Sequence, residues 1–179
     1  MTAVEQFGNV SDSLAESGSE KYLSFVADRK NYGVAICRIK EIIEQCSVTR
    51  VPLSPDYIRG VINLRGRVVP VVDLSARLGG PVTQVGKRSC IVIVEVLAEE
   101  ESVEIGFMVD GVTEVVSLND DLVETAPSFG LNLRPDFVSG MGKTDSGVMV
   151  LLNVETVLSV NELADACEQH STQIVRGAA

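Results

Sequence analysis

Gly60-Val61-Ile62-Asn63-Leu64-Arg65-Gly66-Arg67-Val68-Val69-Pro70-Val71-Val72-Asp73-Leu74 is the segment from which the architecture of this chain can be worked out. Two runs rich in branched aliphatic residues flank the pair Arg65-Gly66, which is the pattern of two strands joined by a hairpin turn. Asp73 lies where a short helix begins, with Leu74 and Leu78 on one side, and Gly79-Gly80 ends it. The segment therefore predicts strand, turn, strand and short helix.

The pattern of this segment occurs a second time in the chain. Three pairs of segments align, at offsets of 80, 80 and 73 positions: 55–61 with 135–141, 68–74 with 148–154, and 36–43 with 109–116. Chance similarity between valine-rich strands is the alternative explanation. Shared Pro, Asp, Gly and Glu positions in a fixed order favour duplication, which predicts two related halves of small β-barrel size.

The remaining sequence is also typical of a β protein. The 179 residues include no Trp and few aromatic residues, so the core should consist of β-branched side chains suited to sheets. Further strands are predicted at 22–27, 32–36, 90–97 and 103–109, and the clearest helix follows Asn153. Residues 1–19 have the composition of a flexible tail, and residues 161–179 should hold a helix end and a second flexible tail.

The charge excludes several classes of function. A formal net charge of -10 argues against nucleic acid, because that binding depends on Lys and Arg neutralising phosphates. The sequence shows no signal-peptide pattern and no run of roughly 20 apolar residues. We therefore predict a cytoplasmic protein that neither binds nucleic acid nor inserts directly into a membrane.

Catalytic, cofactor and metal sites are not indicated. The cysteines Cys37, Cys46, Cys90 and Cys167 lack CxxC spacing, so buried structural thiols are expected. Gly142-Lys143-Thr144 lacks the preceding glycine of a phosphate-binding loop. Glu41 and Glu114, equivalent in the repeat, could form a pair of carboxylates, but solvated surface is the stronger interpretation. The prediction is no enzyme activity, no cofactor and no metal.

Several motifs in fixed order resemble the CheW family, the adaptors of bacterial chemosensory arrays. They span about residues 20–160 and comprise Tyr22-Leu-Ser-Phe25, Tyr32-Gly-Val34, Lys40-Glu-Ile42, Asn63-Leu-Arg-Gly66, Val109-Asp-Gly-Val112 and Leu151-Leu-Asn-Val154. The resemblance implies a mostly β fold of two intertwined five-stranded SH3-like β-barrels with a C-terminal helix.

The resemblance also implies a function. Proteins of this family couple the cytoplasmic tips of methyl-accepting chemoreceptors to the regulatory domain of the histidine kinase CheA, at the inner face of the membrane. A receptor helix packs into an apolar groove between the barrels, while other faces contact the kinase and form rings with it. A related adaptor role in a pathway controlling pili, surface growth or development is the alternative.

Site residues follow from the same resemblance. Ile39, Val112 and Val115 would contribute to the groove and core near the receptor, and Arg65 would be a partner-binding cation. Glu41 and Gly60 match positions of that neighbourhood. Plain core packing is the alternative for the apolar residues, and a solvated turn is the alternative for Arg65. A planar guanidinium on a rigid turn suits recognition of carboxylates or carbonyls.

Charge is distributed unevenly along the chain. Residues 89–133 contain no Lys or Arg, whereas residues 50–88 are rich in both. Two ordinary solvated surfaces are one interpretation. If these oppositely charged regions bind partners, each should contact a surface of opposite sign. Head-to-tail association should then be favoured over a two-fold dimer, and it should weaken as the salt concentration rises.

Overall fold

The computed structural model describes residues 18–44, 47–128 and 130–177, with side chains described as far as His170. The predicted flexible segment 1–19 lies outside the described residues up to residue 17, and Ser19 already begins the first strand.

Within these ranges the chain forms eleven strands and three α-helices. The elements are β1 Ser19–Ala27, β2 Lys30–Ala35, β3 Ile39–Glu44, β4 Ile58–Leu64, β5 Arg67–Asp73, α1 Leu74–Arg77, β6 Cys90–Ala98, β7 Glu101–Val109, β8 Gly111–Asn119, β9 Val123–Glu124, β10 Val138–Thr144, β11 Gly147–Leu152, α2 Val154–Val157 and α3 Val160–Gly177.

The strands form two sheets. The first has the order β3-β6-β7-β5-β4, and the second has the order β8-β1-β2-β11-β10-β9. Strand β9 has only two residues and follows β8 after one turn of 3-10 helix. Its counterpart in the first sheet is the single bridge between Thr49 and Val61. When β8 and β9 are counted as one bent strand, each sheet has the five strands of the predicted barrel.

The two barrels exchange strands. Strands β1 and β2 form a hairpin, but β3, which follows them, leaves to pair with β6. Strands β6 and β7 form the equivalent hairpin, and β8 crosses in the opposite direction to pair with β1. Each barrel therefore contains strands from both halves of the chain, which confirms that the barrels are intertwined.

The duplication is visible in the element bounds. Strand β10 begins and ends 80 positions after β4, and α2 begins 80 positions after α1. Each hairpin carries a register shift at the same place, between Ile58 and Gly60 and between Val138 and Gly140. The short helices begin at equivalent caps, because the side chains of Asp73 and Asn153 accept hydrogen bonds from the following backbone.

Three apolar clusters hold the molecule together. Each barrel has a small interior cluster, and a larger cluster fills the space between the barrels. We call this larger cluster the joint core; it includes Leu23, Phe25, Tyr32, Val92, Val94 and Phe107. Because Ile91 and Ile93 face the barrel interior while Val92 and Val94 face the joint core, β6 is buried on both sides.

The C-terminal helix differs from the sequence prediction. One continuous helical face was expected from Asn153 through Leu163 and Ala164. The structure breaks this segment, because α2 ends like its counterpart α1 and Leu158 leaves helical geometry. Helix α3 starts after Ser159, whose carbonyl accepts a hydrogen bond from the Leu163 N–H at 3.0 Å. It continues to Gly177 through residues that were assigned to a flexible tail.

Gly60 shows how the first barrel closes. Its φ is +141°, and a Cβ here would overlap the Thr49 carbonyl oxygen and lie 2.7 Å from the Thr49 carbonyl carbon. The hydrogen bonds between Thr49 and Val61 require this approach, at 2.9 and 2.8 Å. Any side chain at Gly60 would push the two segments apart.

We predict that Gly60→Ala lowers the free energy of unfolding in urea by at least about 2 kcal/mol, through backbone strain and steric overlap. Gly66→Ala is the matched control, because its φ is also positive but an added methyl meets no described heavy atom within 4 Å. The control should lose only about 1 kcal/mol. Equal losses in the two variants would contradict this account of barrel closure.

Candidate partner-binding surfaces

The apolar residues predicted for the groove lie on the crossing strands. In β3, Ile39 lies opposite Val94 and Ile42 lies opposite Val92, with a register shift between Ile39 and Glu41. Directly opposed residues of antiparallel strands point to the same face. Ile39 and Ile42 therefore face the joint core, and both are half-buried against it.

Strand β8 repeats this arrangement. Val112 lies opposite Phe25 and Val115 lies opposite Leu23, again with a register shift between the two pairs. Phe25 and Leu23 belong to the joint core. Val112 packs against that core, whereas Val115 is further out and remains 37% exposed.

Four residues of the crossing strands therefore lie opposite residues of the joint core, and we call them the groove face: Ile39, Ile42, Val112 and Val115. The sequence interpretation named three of them and missed Ile42. The signal was present, because the offset of 73 positions that relates Ile39 to Val112 also relates Ile42 to Val115.

Glu41 is separated from Ile39 by the bulge in β3. It lies opposite Ile93, which faces the interior of the first barrel, and not opposite a residue of the joint core. Its carboxylate accepts a hydrogen bond from Arg65 Nη2 at 3.2 Å. Glu41 and Arg65 thus form one polar site at the mouth of the first barrel, distinct from the groove face.

Arg65 occupies the turn between β4 and β5, which we call the first tip. Arg65 and Gly66 both have positive φ, +52° and +84°, as a two-residue turn between twisted strands requires. The Asn63 side chain accepts a hydrogen bond from the Gly66 N–H at 2.9 Å. The turn backbone is thereby fixed while the Arg65 side chain remains 75% exposed.

Gly60 is buried and presents no side chain to a partner. Its close contact with Thr49 allows the first barrel to close.

Glu41 and Glu114 do not form a pair of carboxylates. Glu41 binds Arg65, while Glu114 lies opposite Ser24 in the other sheet.

The charge polarity of the sequence is partly neutralised by folding. Strands β5 and β7 are neighbours, so Arg67 lies 3.0 Å from Glu104. Other basic residues of the 50–88 segment are also paired: Arg65 with Glu41, Arg59 with Asp73 and Arg77 with Glu162. Asp73 is fully buried, and its carboxylate also accepts hydrogen bonds from the Thr83 N–H and hydroxyl.

The cysteine prediction is partly wrong. Cys90 is buried, and this burial raises its pKa to about 11. Cys37 is exposed, because it lies in the 3-10 turn that links β2 to the crossing strand β3. Cys167 is half-exposed on α3, and Cys46 lies outside the described residues.

The described part of the chain offers neither a metal site nor a membrane-spanning helix. It contains no group of three or more His, Cys, Asp or Glu side chains placed to hold a metal ion. Among the same residues, no helix is both long and apolar enough to cross a membrane.

Comparison with known proteins connects this geometry to a family. Residues 21–162 match the family model for the CheW-like domain. The chain is 30% identical to the chemotaxis protein CheW of Klebsiella aerogenes over 155 residues, which cover 87% of this chain and 91% of the relative. It is 35% identical to the chemotaxis protein CheW of Bacillus subtilis over 140 residues, covering 78% and 86% of the two chains.

A solved structure agrees in fold. The scaffolding protein TtCheW from Thermoanaerobacter tengcongensis superposes with a TM-score of 0.70 at 32% identity, covering 77% of this chain and 91% of that chain. The range matched by the family model, residues 21–162, includes both crossing strands and nearly all of both barrels. The chain belongs to the CheW-like family.

Proposed function

We propose that this protein is a non-enzymatic chemotaxis scaffold that couples the cytoplasmic tips of chemoreceptors to the histidine kinase CheA. The names of its relatives, chemotaxis protein CheW and scaffolding protein, support the scaffold role. One structural observation carries the proposal: the groove face and the first tip are two separate surfaces held by one shared core.

The groove face is the proposed receptor site. Ile39, Ile42 and Val112 are half-buried at the edge of the joint core, and Val115 beside them is exposed. An amphipathic helix recognised by a hydrophobic groove inserts apolar side chains at intervals of three or four residues. A helix of the receptor tip would cover Val115 and remove its exposed apolar surface from water.

The first tip is the proposed site for the regulatory domain of the kinase. Arg65 has a rigid backbone, an exposed guanidinium and one long hydrogen bond to Glu41. A guanidinium in that position has further donors for a partner carboxylate or backbone carbonyl. Through the two contacts the protein would lie at the inner face of the membrane without inserting into it.

Ring assembly with the kinase is part of the proposal. Arg50, Lys87 and Arg88 have no ion pair within the described ranges, whereas Glu99, Glu100 and Glu101 lie together at the turn between β6 and β7. These surfaces of opposite sign favour head-to-tail contacts over a two-fold dimer, and such contacts are screened by salt.

We predict that Arg65→Glu weakens binding to the kinase regulatory domain by about tenfold or more, because a reversed interface charge repels the partner. Arg29→Glu is the matched control, since Arg29 also lies at positive φ in an exposed hairpin turn, on the other barrel. Calorimetry should show near-native affinity for the control. Unchanged affinity of a folded Arg65→Glu protein would remove the first tip from the kinase site.

We predict that Val115→Asp weakens binding to a receptor-tip fragment by about tenfold or more, because a charge on an apolar contact must be desolvated. Val85→Asp is the control, as Val85 is an exposed valine in the loop before β6 and is not part of the groove face. Both proteins should keep native circular dichroism. If the two variants bind the fragment equally well, the groove face is not the receptor site.

A further inference from the structure

Helix α3 crosses the boundary between the two halves of the chain. At its first turn, Glu162 lies beside Arg134, which stacks on Phe137 of the second half. Glu162 also accepts a hydrogen bond from Arg77 of the first half, whose guanidinium lies over the ring of Tyr57. Tyr57 and Phe137 are equivalent residues of the repeat, 80 positions apart.

Arg77 lies between these two equivalent rings. Its guanidinium carbon is 5.3 Å from the ring centroid of Tyr57 and 5.0 Å from that of Phe137. Its Nε donates a hydrogen bond to the Val157 carbonyl at 2.8 Å. The side chain is only 9% exposed, so Arg77 is fixed where the two halves meet.

Arg134 is also held in place by contacts that do not involve α3. Its guanidinium stacks at 4.3 Å from the centroid of Phe137 and forms two hydrogen bonds with the Asp136 carboxylate, at 3.1 and 2.5 Å. We call Arg77 and Arg134 the arginine fork. Stacking and hydrogen bonds that do not involve α3 hold both members of the fork in place.

The fork is filled by a single carboxylate. Glu162 Oε2 accepts hydrogen bonds from Arg77 Nη2 at 2.6 Å and Arg134 Nη1 at 2.8 Å, and Oε1 accepts one from Arg134 Nη2 at 3.0 Å. The hydrogen bonds from Arg134 and Arg77 lower the pKa of Glu162 to about 2. Three charge-assisted hydrogen bonds thus converge on one side chain at the start of the helix.

The first turn of α3 also carries apolar contacts. Leu163 is the one buried side chain among residues 160–170, and Val160 is half-buried against the joint core. The helix has 18 residues, or about 27 Å of length, and Val160, Glu162 and Leu163 all lie in its first turn. Loss of the Glu162 contact should therefore loosen the first turns of the helix, while the barrel strands keep their own pairing.

We propose that the arginine fork is a preformed carboxylate-binding site that α3 occupies within the same chain, so that an acidic helical segment of a partner displaces α3 by replacing Glu162. The helix then acts as a detachable strap over the boundary between the halves. The site is separate from the groove face and the first tip, so its test does not depend on the receptor or kinase assignment.

Hydrogen exchange of the full chain tests the strap. Glu162→Gln should raise the exchange rate of the amides at 163–167 by about tenfold or more, with no change in β6 or β7. Glu155→Gln is the matched control, because Glu155 pairs with Arg38 at 2.7 Å on the neighbouring helix α2. The control should change α3 exchange less than about twofold. Equal exchange in the two variants would overturn the strap.

A peptide added in trans tests the carboxylate site. Two labelled peptides would be compared for binding to the Glu162→Gln protein. One has the sequence of residues 159–170, and the other has Gln in place of the glutamate at position 162. The peptide with glutamate should bind about tenfold more tightly. Binding should be detected by fluorescence anisotropy and by shifts of the arginine Nε–H signals. Equal binding of the two peptides, or binding of neither, would overturn the proposal.

Discussion

The joint core between the barrels is the constraint on which the rest of the structure depends. It exists because β3 and β8 each leave their own half and complete the other barrel. Strand β6 must then be apolar on both faces, which explains its nearly continuous run of Ile and Val. Neither half can bury these surfaces alone, so the two barrels should fold together and behave as one body.

The same exchange creates the surfaces that a scaffold needs. The crossing strands carry apolar residues that are only partly covered by the joint core, and their bulges separate these residues from the polar site at Glu41. Duplication fixed the strand pairing of the two hairpins but neither the turn backbone nor the charge, since positive φ occurs at Arg65 and Gly66 in one turn and at Gly147 in the other. The first tip carries Arg65-Gly66, while the equivalent turn carries Asp145-Ser146. The two equivalent hairpins therefore present turns of different chemistry, one basic and one acidic.

Local patterns predicted much of this structure. Most strands, the hairpin turn at Arg65-Gly66, the repeat and the short helix after Asp73 follow from spacing and turn residues, but the crossing strands β3 and β8 were aligned as repeat segments without being predicted as strands. Features that depend on contacts between residues distant in sequence were harder to predict. A one-residue bulge moved Glu41 away from the face of Ile39, and the repeat of α1 in α2 broke the predicted long helix. Arg77 was not singled out because its partners Val157 and Glu162 lie 80 and 85 positions away. The predicted partner roles of the site residues remain proposals.

Bridging is the central property of the proposed scaffold, and it can be measured directly. A receptor-tip fragment and the kinase regulatory domain would be mixed with and without the chain and examined by sedimentation velocity. The account predicts a ternary complex that forms only when the chain is present, because the groove face and the first tip are separate surfaces on one rigid body. If the receptor fragment and the kinase domain instead displace each other from the chain, the two partners share one surface and the account is contradicted.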